Sequence, residues 1–432
     1  MKSYYLLSVL AASFAIASGE RLESNEAHME GEVVLEADGV QKPLAVQVEQ
    51  AEEQAIGDAD HKQKMLKEHL IKGQKDAKAE HDDFIEEDGW DRRGYHMWSN
   101  QKGKFTQQIA HAMGMIGTTA KLGRNVVLPA FSIHDQSVQQ TRLLKFNDVF
   151  DMTSLKMFDP RFITLEDFME KFGETRWPVD ERYAYCDEEW PLYEKSQNCN
   201  LKTTPKAAQY WDAYSIDFIG KKPFSRKTRP VPESDPVFVT GSLARYPLET
   251  RLDSLYGYFR WNPYLLEASI DYVEKYLPRP FMSVQIAGGK SWATTCEAAV
   301  SGADRILASR QCLGENEKIY AGLCKPSEYK MLTDIVDVAI KEKVKSIFLI
   351  ADAITEPFIP NLQKMLAKQE MSGVIVIAGT GNEVLDVVIE ELSDVFLGNC
   401  VNPASEIIMN FRKHHIPEDV RPPTYYFGKI EE

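Results

Sequence analysis

Beyond Pro278 the sequence switches regularly between short apolar runs and longer stretches of helical period, and this alternation constrains the fold more than any other feature. Strands are expected at 281–286, 346–351, 373–378 and 394–397, with helices after 292 and at 328–344, 360–368 and 383–392. Strands alternating with helices predict an α/β arrangement, a parallel sheet covered on both faces. The apolar runs Ile347-Phe-Leu-Ile350 and Val374-Ile-Val-Ile377 fit that burial. Ligands bind an open α/β sheet beyond the carboxyl ends of its strands. The stretch Arg279 to Cys296, an apolar strand entering a glycine turn and then a helix, is therefore the first candidate site. Within that turn Lys290 supplies the only charge, beside Gln285, Ala287 and Ser291.

Upstream the pattern is less regular. Residues 1–19 carry a lysine at position 2, an apolar core and small residues Ala15, Ala17 and Gly19, the layout of a secretory signal peptide. Residues 20–88 are polar and acidic and read as a flexible leader that cannot bury enough apolar surface to offset its ordering entropy. A helix is conceivable within 61–84, and His61, His69 and His81 read as solvated. A first globular domain is expected over 89–277 and a second over 278–432, the boundary set by Pro278 after a helix at 264–277. In the first domain Ile109, Met113, Ile116 and Ala120 recur at helical steps, and Asn125-Val-Val-Leu-Pro129 follows as a strand. His111 reads as a structural histidine. Residues 178–247, rich in aromatics, prolines and charges, read as irregular covering structure.

The net charge of -15 repels polyanions, which argues against nucleic acid as a partner. No later segment approaches the length of a membrane span. Six cysteines behind a secretory leader favour disulfides, and the lack of a CxxC pair argues against zinc. Gly289-Lys-Ser291 lacks the P-loop's first glycine, since Val284 stands there. Gly379-Thr-Gly381 lacks the third glycine of a dinucleotide turn, Val384 standing in its place, and reads as a plain strand-to-helix turn. No Gly-x-Ser-x-Gly elbow and no Asn-x-Ser/Thr sequon occurs.

Several stretches, in order from about 103 to 428, together carry a resemblance. They are Ile163-Thr-Leu-Glu-Asp-Phe-Met-Glu-Lys171, Trp177-Pro178, Tyr183-Ala-Tyr-Cys186, Arg279-Pro-Phe281, Trp292 with Cys296, Ser309-Arg-Gln-Cys312, Phe396-Leu-Gly-Asn-Cys400 and Tyr426-Phe-Gly428. The chain resembles the GDP-fucose protein O-fucosyltransferase family of the type acting on EGF-like repeats. The resemblance implies a GT-B architecture, two Rossmann-like domains facing across a cleft. It further implies GDP-fucose as donor without a metal or other cofactor, and EGF-like repeat proteins such as Notch-type receptors as acceptors. Residence in the endoplasmic reticulum lumen follows from it too, with secretion left open because Gly428-Lys-Ile-Glu-Glu432 is no clear retrieval signal. The disulfides it selects are Cys186 with Cys199, Cys296 with Cys324, and Cys312 with Cys400.

The departures fall at functional positions. The family's His-Leu-Arg triplet corresponds to Gln285-Ile286-Ala287, so the arginine that meets the β-phosphate is an alanine, and the following aspartate is Ser291. The acceptor-side loop corresponds to Lys104-Phe105-Thr106-Gln107-Gln108, with Gln107 where an asparagine stands. The Ser-Ser-Phe phosphate loop is Asn402-Pro403-Ala404, whose proline lacks a backbone donor. Asp352, Asp386 and Asp394 match family aspartates, Asp386 at the position near the guanine. Losing an arginine contact to developing phosphate charge costs about 3 kcal/mol. Two readings follow: a fucosyltransferase with a rearranged donor site, in which Lys290 offers a substitute charge, or a catalytically impaired pseudoenzyme that binds EGF-like modules or assists their folding.

Overall fold

The computed structural model describes residues 84–99, 103–135, 140–187, 201–202, 205–225, 232–241, 250–301, 319–351 and 357–429. The expected signal peptide, nearly all of the acidic leader, Asp352, Cys199 and Cys312 lie outside them. The described chain begins before Trp90: Glu86 and Asp88 both accept from the Arg176 guanidinium, at 2.5 and 2.7 Å.

Two parallel sheets organise the described residues. The first contains β1 (Tyr95–Met97), β2 (Asn125–Leu128), β5 (Ile163–Thr164), β6 (Tyr183–Asp187), β7 (Gly220–Phe224) and β8 (Val237–Thr240), in the order β5-β2-β1-β8-β6-β7. A separate antiparallel pair joins β3 (Phe131–Asp135) to β4 (Gln140–Leu144). The second sheet contains β9 (Phe281–Ile286), β10 (Ser346–Ala351), β11 (Ile375–Ala378), β12 (Val395–Gly398) and β13 (Thr424–Tyr426), in the order β11-β10-β9-β12-β13.

Residues 178–247 thus supply three strands of the first sheet, not irregular cover. These strands are only four or five residues long, and buried parallel strands need no polar alternation to betray them. Pro223 is tolerated because β7 is an edge strand, where a missing N–H leaves no ladder bond broken. The burial expected for the 374–377 run is also incomplete. That strand, β11, lies at the edge of the second sheet and Ile375 is exposed.

Helix α1 (Phe105–Leu122) buries Ile109, Met113 and Ile116, as its period predicts, but leaves Ala120 near its end exposed, and it ends on Gly123 in the left-handed conformation, φ 66°. In the second sheet β9 feeds α3 (Gly289–Val300), which starts at the glycine turn itself and so earlier than its sequence suggests. Helix α2 (Pro263–Tyr276) packs with Val273 and Leu277 on Phe281 and Phe348, that is, on the second sheet. Helices α4 (Glu328–Lys341), α5 (Phe358–Lys368), α6 (Glu383–Glu391) and α7 (Pro403–His415) complete the second half.

The halves share one core. Trp98, Phe131, Phe146, Phe150, Phe259 and Trp261 pack in the same cluster as Val384 and Val388 of α6 and Ile407, Ile408 and Phe411 of α7. Trp261 stacks on Phe150, ring centroids 4.9 Å apart, and meets Phe411 edge-on at 5.1 Å. Its indole N–H donates to Glu391 at 2.5 Å, Glu391 pairs with His415 Nδ1 at 2.7 Å, and His415 Nε2 lies 2.9 Å from the Tyr256 carbonyl oxygen. Burial pushes the Glu391 carboxyl upward, but His415 and Trp261 outweigh it and hold the group below the ordinary glutamate range.

Candidate functional site

The glycine corner sits at the carboxyl ends of neighbouring strands. β9 and β12 pair in parallel, and each ends at the start of a helix, α3 after β9 and α7 after β12. Two helix amino termini, each with a partial positive charge, therefore rise from adjacent strand ends, the geometry that suits a diphosphate.

The side chains hold this corner rather than fill it with charge. Gln285, near the end of β9, accepts from Ser405 Oγ at 2.8 Å, and Ser405 Oγ accepts from the Asn399 amide at 3.0 Å. Asn402 caps α7 by accepting from the Ala404 amide at 3.0 Å, with Pro403 at the first helical position. A proline there costs the helix no intrahelical bond, but it removes one of the first-turn amides that would otherwise face an anion. The Cys324 carbonyl accepts from Trp292 Nε1 and from Asn399 Nδ2, both at 3.0 Å, tying α3 to the β12–α7 turn. Gly289 has φ +83°, a conformation that glycine adopts without strain.

A second group closes the corner on the β11 side. Asp386, almost fully buried at 8% exposure, accepts from the Thr380 amide at 2.8 Å and its hydroxyl at 2.6 Å through Oδ1. Burial raises its pKa against those two bonds. The Tyr272 phenol is pushed up by burial and then by the Asp386 charge. Across the join, Glu383 Oε2 accepts from the Phe105 amide at 3.1 Å, so the first turns of α1 and α6 are pinned together. Gln107 is exposed and turned back, its Oε1 accepting from the Lys104 amide at 3.1 Å, while the buried Gln108 bonds both the amide and the carbonyl of Ser132 at 2.8 Å.

The family model for GDP-fucose protein O-fucosyltransferase matches residues 95–415, most of the chain and every strand of the two sheets but β13. The chain belongs to the GDP-fucose protein O-fucosyltransferase family. Among its relatives, GDP-fucose protein O-fucosyltransferase 1 of Caenorhabditis elegans is 26% identical over 351 residues, 75% of this chain and 88% of the relative. Among solved structures, POFUT1 in complex with GDP superposes with a TM-score of 0.67 at 26% identity over 78% of this chain and 99% of the other. POFUT1 in complex with GDP-fucose gives 0.69 at 25% identity over 79% and 99%. The mixed α/β fold of this O-fucosyltransferase family member is of the GT-B type.

Of the expected site residues, Gln285, Ala287, Trp292, Asn402 and Ala404 gather at the corner, and Asp386 lies at the β11–α6 turn of the same sheet. Phe105 is fully buried, its ring packed in the shared core near Trp261. Lys290 and Ser291 begin α3, and their side chains lie outside the described residues. Asp394 is structural: it binds Arg279 at 2.5 Å and the Phe281 amide at 2.8 Å. Cys296 and Cys324 form a disulfide with Cα atoms 5.8 Å apart. Cys186 and Cys400 are disulfide-bonded as well. Among the described residues no group of three His, Cys, Asp or Glu could hold a metal, and no helix is long and apolar enough to cross a membrane.

Sequence reasoning missed Ser405, Asn399, Glu383 and Glu406. Glu406, in the first turn of α7, has one carboxyl oxygen buried without a partner, and burial alone raises its pKa to about 7. The helix-start signature Asn402-Pro403 could have revealed both Ser405 and Glu406 as first-turn residues.

Proposed function

We propose that this chain transfers fucose from GDP-fucose to a serine or threonine hydroxyl of an EGF-like repeat in the lumen of the secretory pathway. The observation that carries the reading is the pair of helix amino termini at the adjacent ends of β9 and β12, with Asp386 on the same sheet. Asp386 receives the base through Oδ2, since Oδ1 is occupied by Thr380. The first-turn amides of α3 and the dipole of α7 receive the diphosphate, and Lys290 adds a point charge at the turn where the arginine is Ala287. Gln107 and the Phe105 turn lie on the acceptor side. The remaining disulfides in this reading pair Cys186 with Cys199 and Cys312 with Cys400, the latter tying the donor half to the loop before α7. Residues 1–19 are removed on secretion, and the two domains meet near residue 277.

No catalytic base is assigned, and the departing GDP is stabilised by dipoles and amides. Incubation of the purified full chain with GDP-fucose and a folded EGF-like repeat tests the proposal. The expected result is one deoxyhexose added to the repeat, with none added to the reduced, unfolded repeat. Binding of the repeat with no sugar transferred would overturn the assignment in favour of a binding-only protein.

A further inference from the structure

The two strands that meet at the glycine corner send the chain in opposite directions. From β9 it passes to β10 on one side of the sheet order, and from β12 to β13 on the other, so the crevice between β9 and β12 is the switch point where ligands enter an open α/β sheet. One hydrogen-bonded pair joins β9 to the helix that follows β12. Ser405 Oγ takes the Asn399 N–H at 3.0 Å and gives its own hydrogen to Gln285 Oε1 at 2.8 Å. Gly398 makes room for this contact, since a Cβ there would lie 2.7 Å from Ser405 Oγ. Both residues are buried, Gln285 at 7% exposure and Ser405 at 0%. With its oxygen fixed by Ser405, the planar amide directs Nε2 the opposite way, and among the described residues no acceptor meets that nitrogen. Buried amides are ordinarily satisfied, so this one presents its N–H groups to something that enters the crevice.

We infer that Ser405 is a positioning residue of the donor site proposed above, a reading on which this inference rests: it holds the Gln285 amide so that Nε2 donates to a phosphate oxygen of GDP-fucose. The corner thereby gains neutral donors where Ala287 supplies no charge. Without Ser405 the amide is free to turn, and its carbonyl oxygen would then oppose the phosphate. A phosphate oxygen carries lone pairs and no hydrogen, so only the donor end of an amide recognises it. A sugar hydroxyl both gives and takes a hydrogen bond and has no need of a fixed amide.

Calorimetric titration of GDP-fucose, without acceptor, into the purified full chain and its variants tests the inference. Gln285→Glu keeps the shape of the side chain and the acceptor for Ser405 but turns an oxygen toward the phosphate. Its affinity should lie about tenfold or more below the parent's at pH 8, as the loss of one hydrogen bond to a charged group implies, and should approach the parent's toward pH 5 as the carboxyl takes up a proton. GDP at pH 8 should be weakened as much, since the contact is to phosphate. Ser405→Ala should weaken GDP-fucose about threefold to tenfold in the parent but about twofold or less in a Gln285→Ala background, where nothing is left to position. Where Ser405→Ala fails to fold, Ser405→Cys, a weaker donor of nearly the same size, takes its place in the same cycle. Full cost in both backgrounds, a weakening confined to GDP-fucose, or parent-like binding by Gln285→Glu at every pH would overturn the inference, while the parent's own binding upholds the donor site. A parent chain that binds neither nucleotide would overturn both.

Discussion

The two sheets are built alike and treat their buried polar groups differently. In the first, His96 is fully buried, with Nδ1 2.6 Å from the Thr119 hydroxyl and Nε2 2.9 Å from that of Thr240. Burial, and then the Arg124 charge, drive its pKa down to about 3, so it is a neutral, satisfied bridge between α1 and β8. In the second, Asp386 and Glu406 are buried carboxyls with raised pKa values, and Glu406 has an oxygen with no partner. The difference teaches that His96 and its two threonines hold the scaffold of the first half, whereas the carboxyls near the strand ends of the second stand where a ligand arrives from solution. The shared aromatic core and the Trp261–Glu391–His415 chain keep the two halves in register.

The largest expected effect breaks that register. Glu391→Ala leaves His415 and the Trp261 indole N–H without their buried partner and should lower stability by about 3–5 kcal/mol in denaturant unfolding, with both halves lost in one transition. Two separate transitions, one per sheet, would show that the halves do not share a core.

A smaller effect separates the scaffold from the site by pH. The folded His96 pKa lies below the unfolded value of about 6.5, so its stability contribution is complete above pH 6.5 and lost as pH falls toward about 3. The slope for this group is about 1.4 kcal/mol per pH unit within that window. His96→Gln, able to bridge the two threonines without titrating, should flatten the stability profile there. An unchanged slope would place acid sensitivity elsewhere.

The smallest effect concerns Glu406. Its pKa is raised, so the protonated form is favoured in the folded state and the charged form opposes a nearby diphosphate as pH rises through about 7. GDP-fucose affinity should fall about threefold between pH 6 and pH 8, the size of one screened like-charge contact, and Glu406→Gln should remove that dependence. GDP-fucose is the right probe because its phosphates do not titrate in this range.

The second sheet was largely legible because each strand is an apolar run that hands over to a helix of clear period. The first was not: β1 has three residues, β5 two, and the Tyr-Ala-Tyr-Cys-Asp of β6 carries no alternation, so tertiary pairing alone makes them strands. At the site the glycine turn was visible as local chemistry. The Gln285–Ser405 bond spans 120 residues and could not be seen in either segment alone. Asn402-Pro403 was visible as a lost donor, and the capping of α7 by the Asn402 side chain adds to that reading without replacing the missing N–H.

Calorimetric titration of GDP into the full chain and into Asp386→Ala tests most directly whether the strand ends of the second sheet are the donor site. The account predicts saturable binding to the parent chain and about tenfold weaker binding to the variant, the cost of one charge-assisted contact to the base, measured well below the variant's unfolding temperature, which falls because Thr380 loses both its bonds. Equal GDP affinity in the two proteins, or no binding to the parent chain at all, would contradict it.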